Sequence, residues 1–115
     1  MTVLKIQNVY LATQEAERDA QFYQKALGAE LRFADGDHWI QLSVAGANLA
    51  LAGPRESAVL QGAVTVFEVD DIDAHAVAIN EAGGKIEDRR DMGSHGRTLT
   101  FSDPSGNVAQ LFQRA

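Results

Sequence analysis

Residues 62–90 read GAVTVFEVDDIDAHAVAINEAGGKIEDRR, and residues 3–33 read VLKIQNVYLATQEAERDAQFYQKALGAELRF. The later stretch opens with a β-rich run, Val64 to Val69. Asp70 or Asp71 can then cap a helix, Ile72, Ala76 and Ile79 recur on one helical face, and Gly83-Gly84 stops it. The earlier stretch repeats this order. Leu4, Ile6 and Asn8 alternate with Lys5, Gln7 and Val9 as in a strand. Thr13 can cap a helix whose first turn carries Glu15 and Glu17, acids that suit the helix dipole. Ala16, Ala20, Tyr23 and Leu27 then share one face, and Gly28 ends it. The pairs Ala16/Ile72, Ala20/Ala76 and Tyr23/Ile79 share an offset of 56, and Leu31/Ile86 fits at 55. All strand–helix units share apolar spacing, but a matching order at a nearly constant offset favours duplication.

Working outward, each unit is followed by two more strands. These are HWIQLSV (38–44) and NLALAG (48–53) in the first half, and RTLTFS (97–102) and NVAQLF (107–112) in the second. Between the last two, Asp103, Pro104 and Gly106 occupy the first, second and fourth positions of a β-turn. The chain is thus predicted to be a single α+β domain over residues 1–115, two tandem βαβββ modules. Module one covers 1–53, a linker 54–61, and module two 62–115. Either module alone is too small to bury both faces of its sheet, so the two are expected to pack together.

Composition narrows the function. A net charge of −6 disfavours a nucleic-acid role or adhesion to anionic membranes and is compatible with cationic ligands. With no cysteine, disulfides, thiolate zinc sites and cysteine nucleophiles are excluded. No basic-then-apolar leader and no run near 20 apolar residues is present, so a cytoplasmic location is expected.

NVYLAT…AQFYQKALGAEL, VFEVDDIDA…AGGKI and GRTLTFSDPSGNVAQLF, in that order, resemble the vicinal oxygen chelate superfamily of glyoxalases, extradiol dioxygenases and bleomycin-resistance proteins. The resemblance spans essentially the whole chain. It implies curved mixed sheets forming a concave cleft. In metal-dependent relatives four inward positions, usually His or Glu, hold one divalent ion. Here they fall on Asn8, Ala50, Val64 and Gln110, and neither these nor their immediate neighbours is His, Glu or Asp. Neutral amides are feeble ligands for zinc, iron or nickel. The expectation is a protein with no metal or other cofactor and no catalytic residue. It would be a small-molecule binder resembling the bleomycin-resistance branch. The alternatives are a metal-dependent lyase, isomerase or dioxygenase, or a metal-free enzyme using Glu68 or His95 as base.

Strand alternation sorts the faces. If those four positions face the cleft, so do Tyr10, Val66, Glu68 and Phe112, with Trp39, Gln41, Ser43, Thr98 and Thr100. Val9, Leu11, Ile40, Leu42, Val44, Leu49, Leu51, Phe67, Leu99, Phe101 and Leu111 then face the helices. The expected ligand-binding set is Asn8, Tyr10, Trp39, Gln41, Glu68, His95, Thr100, Gln110 and Phe112. Aromatic walls with a few polar groups suit a small molecule, here a cationic or planar aromatic one. Blander roles stand beside these: Trp39 as a core cap, Tyr10 and Phe112 as packing, Glu68 and Gln110 as surface groups, His95 as a plain loop residue. His38 and His75 are expected at the surface, the run EDRRD (87–91) as a solvated segment, and Arg97 beside Asp91 or an anionic substituent. Exposed sheet edges and the resemblance together predict a C2 homodimer.

Overall fold

The computed structural model describes all residues, Met1–Ala115. The elements run β1 (Val3–Ala12), α1 (Ala16–Leu27), β2 (Glu30–Asp35), β3 (Trp39–Val44), β4 (Ala47–Ala52), β5 (Ala63–Val69), α2 (Ile72–Glu81), β6 (Lys85–Asp91), a single 3₁₀ turn (Gly93–His95), β7 (Arg97–Ser102) and β8 (Val108–Gln113). This is the expected βαβββ order, twice. The eight strands form one open, mixed sheet in the order β2-β3-β4-β1-β5-β8-β7-β6.

The repeat extends to register. β1 runs parallel to β4 with Tyr10 opposite Ala50, and β5 runs parallel to β8 with Val66 opposite Gln110. The offset of 56 that relates the helices carries Tyr10 onto Val66, and the pairing then carries Ala50 onto Gln110. Both outer hairpins slip at one equivalent place. The β2–β3 pairing shifts between Leu31 and Phe33, and the β6–β7 pairing between Ile86 and Asp88. An irregularity repeated at matching positions is not required by βα geometry, and it supports duplication.

The chain forms two compact units, Asn8–Val64 and Met1–Gln7 with Thr65–Ala115, so β1 is divided between them. In the first unit, Ala16 and Ala20 of α1 and Ala29 pack with Ile40, Leu42 and Leu51, and Leu11, Tyr23 and Val44 join them. In the second, Ile72 and Ala76 of α2 pack with Val69, Leu99 and Leu111, joined by Phe67, Ile79, Ile86 and Phe101. The predicted helix-facing residues in these clusters are all placed as alternation required. Leu27 is a correction: it is exposed. Gly28 turns the chain in the left-handed conformation, and Ala29 beyond it takes the buried place.

Caps follow local chemistry. Asp71 caps α2 by accepting from Ala74 N at 3.0 Å, whereas Asp70 accepts from Thr2 N at 2.6 Å. At α1 the N-cap residue is Glu15, whose side chain makes no capping bond. Thr13 Oγ1 instead accepts from Glu15 N at 3.0 Å and donates to Asp19 Oδ2. The hydroxyl bond from Thr13 is the main reason the Asp19 carboxyl lies below its ordinary pKa. The Asp103 turn closes as predicted, with Gly106 N donating to Asp103 O at 2.9 Å. No helix is long and apolar enough to cross a membrane.

Candidate functional site

Two sheet faces carry the candidate residues, one in each unit. In the Asn8–Val64 unit, pairing aligns Phe33, Gln41, Ala50 and Tyr10 across four strands. Trp39 shares this face. Its ring meets Tyr10 edge-on, with centroids 5.3 Å apart, and its Nε1 donates to Gln41 Oε1 at 3.3 Å. Tyr10 is 1% exposed, and its hydroxyl accepts from Ala58 N at 3.0 Å. Burial raises the Tyr10 pKa, partly opposed by the Ala58 bond. Tyr10 therefore anchors the segment that follows β4 and supports Trp39, which is half-buried. Asn8 is buried on the same strand.

In the other unit, Arg90, Thr98, Phe112 and Glu68 align across β6, β7, β8 and β5, and Asp88, Thr100, Gln110 and Val66 form the next row. Gln110 Nε2 donates to Thr100 Oγ1 at 2.8 Å. Glu68 is the unusual member. It is 4% exposed, its Oε2 accepts from Arg114 Nε at 2.8 Å, and its Oε1 is buried with no hydrogen-bond partner. A carboxylate oxygen held from water without a donor is costly. Arg114, whose pKa is raised chiefly by that bond, reaches it from solvent. Sequence reasoning overlooked Arg114, yet alternation continued two residues past Phe112 places it on this face.

His95 is exposed in the 3₁₀ turn. Gly96 beside it is closely packed: an added Cβ would lie 2.9 Å from Phe112 Cε1 and 2.4 Å from Gln113 O. The backbone of this turn therefore abuts the Phe112 ring, while the His95 side chain remains in solvent. Two surface expectations are corrected. His38 is half-buried with Nε2 3.1 Å from Arg55 Nη1, and His75 is half-buried with Nε2 enclosed. Arg97 lies opposite Asp91 in register but turns to Asp73 and Gln113.

The side chains do not fit the divalent ion that the resemblance implies for metal-dependent relatives. Ala50 and Val64 are fully buried and bear no donor, and Gln110 offers an amide whose nitrogen is committed to Thr100. No group of three or more His, Cys, Asp or Glu side chains gathers in the structure.

Comparison with known proteins places the chain. Residues 5–111 match the profile of the Glyoxalase/Bleomycin resistance protein/Dioxygenase superfamily. The chain belongs to this superfamily. A relative from Mycolicibacterium smegmatis, an uncharacterized protein, is 31% identical over 103 residues, 90% of this chain and 88% of its own. Among solved folds, a glyoxalase/bleomycin resistance protein/dioxygenase superfamily member from Vibrio splendidus 12B01 superposes with a TM-score of 0.71 at 18% identity, covering 92% of this chain and 96% of its own. The methylmalonyl-CoA epimerase of Mycobacterium tuberculosis gives 0.69 at 19% identity, covering 98% and 89%. Homoprotocatechuate 2,3-dioxygenase from Brevibacterium fuscum gives 0.70 at 22% identity, covering 98% of this chain and 37% of that larger one. At these identities the superfamily's solved members share the fold, and the differing activities in their names show how little the fold fixes the reaction.

Proposed function

We propose that this protein binds a small organic cation without a metal. The observation that carries the reading is the Glu68 carboxylate, buried beside Phe112 with one oxygen bonded to Arg114 and the other lacking a donor. A protonated amine or amidine would supply that donor, and Phe112 would add a cation–π contact. In the other unit, Trp39 backed by Tyr10 offers a stacking surface for a planar aromatic group. Sequestration, as in bleomycin-resistance proteins, suits this better than a metal-dependent lyase, isomerase or dioxygenase reaction, for which Ala50 and Val64 supply no ligand. A metal-free reaction with Glu68 as base is the enzymatic alternative, and turnover of the bound compound would reveal it.

The proposed working form is a C2 homodimer. Leu4 and Ile6 in one unit, and Leu31 and Phe33 in the other, are each more than half exposed. The end strands β2 and β6 present edges that a partner would cover.

The test is calorimetric titration with cationic aromatic compounds and their neutral counterparts, with Trp39 fluorescence followed in parallel. Saturable binding of the cations is expected. Glu68→Gln, which removes charge at nearly constant shape, should weaken cations and spare neutral compounds. Equal effects on both, or no binding by the cations, would overturn the proposal.

A further inference from the structure

Arg114 follows Phe112 at a spacing of two, just beyond β8, which ends at Gln113. Its backbone is packed: a Cβ added to Gly96 would lie 3.3 Å from Arg114 Cα. Its side chain is not, being 66% exposed, whereas the Glu68 side chain it meets is buried. One end of this ion pair is therefore fixed in the sheet, and the other can withdraw into water. The contact between them is also incomplete. A guanidinium can meet a carboxylate with two parallel N–H groups, one to each oxygen. Arg114 gives only its Nε, to Oε2 at 2.8 Å, and Oε1 is enclosed with no donor.

We infer that Arg114 is an internal competitor for the Glu68 site, and that an amidinium or guanidinium compound displaces it by bonding both carboxylate oxygens. The inference rests on the cation-binding reading of Glu68; it adds the shape of the head group and a rival for the site within the chain. Exchange is favoured from both sides. Arg114 gives up one bond and regains water along a side chain that is already mostly exposed. The incoming head group replaces that bond and also supplies the donor that Oε1 lacks, relieving a buried unsatisfied acceptor. An ammonium is a point charge without the planar fork, so it matches the two oxygens less well. Phe112, opposite Glu68 in register, offers the head group a cation–π contact. Apparent affinity is then reduced by the fraction of molecules in which Arg114 still covers the carboxylate. The rival reading makes Arg114 a permanent counter-ion, with the ligand bonding Oε1 alone.

The two readings part on Arg114. Full-length protein is titrated with benzamidine and with benzylamine at slightly acidic pH, where arginine N–H groups exchange slowly. Affinity is read by calorimetry and the Arg114 Nε–H by NMR. Benzamidine should bind about tenfold more tightly than benzylamine. As it saturates, the Arg114 Nε–H signal should move to the position of a solvated arginine. Arg114→Gln, which keeps an N–H donor and removes the competing charge, should bind benzamidine several-fold more tightly than the parent. If that variant does not fold, the Nε–H signal of the parent decides. A signal unmoved at saturation, benzylamine binding as tightly as benzamidine, or Arg114→Gln binding no more tightly than the parent would overturn the displacement. Should that occur while Glu68→Gln still weakens both cations, the cation site stands and only the exchange is wrong. If neither cation binds, or Glu68→Gln binds both as the parent does, the cation reading falls and this inference falls with it.

Discussion

Replacing Glu68 by leucine should cost the free protein little stability, although the position is as buried as the core. The carboxylate makes one charge-assisted bond, to Arg114 Nε at 2.8 Å, and leaves Oε1 enclosed without a donor. Losing a bond to a charged group costs about 1.5–3 kcal/mol, and relieving a buried unsatisfied polar oxygen returns about 1–3 kcal/mol. These terms nearly cancel, so Glu68→Leu should lie within about 1 kcal/mol of the parent. A fully satisfied buried ion pair broken at one partner would instead lose about 3–5 kcal/mol. Urea unfolding gives the number directly, provided the m-value is unchanged. The same variant should lose binding of cationic aromatic compounds, the pattern of a residue retained for function rather than for stability. A loss above about 3 kcal/mol would show that the carboxylate is a satisfied structural anchor, and the reasoning from its orphaned oxygen would fail.

Other outcomes follow from single observations. With no carboxylate, imidazole or thiolate at Asn8, Ala50, Val64 and Gln110, purified protein should carry no stoichiometric transition metal by elemental analysis, and chelator should leave its Tm unchanged. Light scattering at micromolar concentration should give twice the 12.4 kDa chain mass; a single-chain mass would exclude the dimer. The Tyr10 pKa is raised in the fold from its ordinary 10.0, so the unfolded chain loses that proton first as pH rises. Stability should then fall above that pH in urea titrations, and Tyr10→Phe should reduce the fall. Ala45 holds a φ of 50° ahead of Gly46 in the β3–β4 turn. Ala45→Asn should stabilise by about 0.5–1 kcal/mol in thermal unfolding, because asparagine tolerates that conformation better.

The order of elements was legible because apolar periodicity changes from 2 to 3.6 twice at a fixed offset, and turn residues fall where it changes. Facing was legible for the same reason: a strand has only two sides. What escaped depends on contacts distant in sequence. EDRRD looks like a solvated run, and its residues are indeed exposed, yet they form most of β6 because β7 pairs with them. Tyr10 reads as a cleft wall by alternation, but Ala58, 48 residues away, bonds its hydroxyl and helps to cover it. The burial of Glu68 was not legible, since composition argues against burying a carboxylate. Arg114 could have been found, because it follows Gln110 and Phe112 at a spacing of two.

The division of β1 bears on how the chain acquires its structure during synthesis. Met1–Gln7 belongs with Thr65–Ala115, and Thr2 exchanges bonds with Asp70, its N–H going to Oδ1 and its carbonyl receiving the Asp70 N–H. Met1–Gln7 therefore waits for partners nearly 70 positions further along the chain. Loops of that length close slowly relative to local hairpins, so β2–β3–β4 with α1 can form well before β1 is fully paired. In that interval Val3, Leu4 and Ile6 are an unpaired apolar strand, the kind of segment that chaperones shield and that drives aggregation. Cutting the chain between residues 54 and 61 would likewise fail to yield two autonomous halves, because each fragment would lack β-pairing that the other supplies.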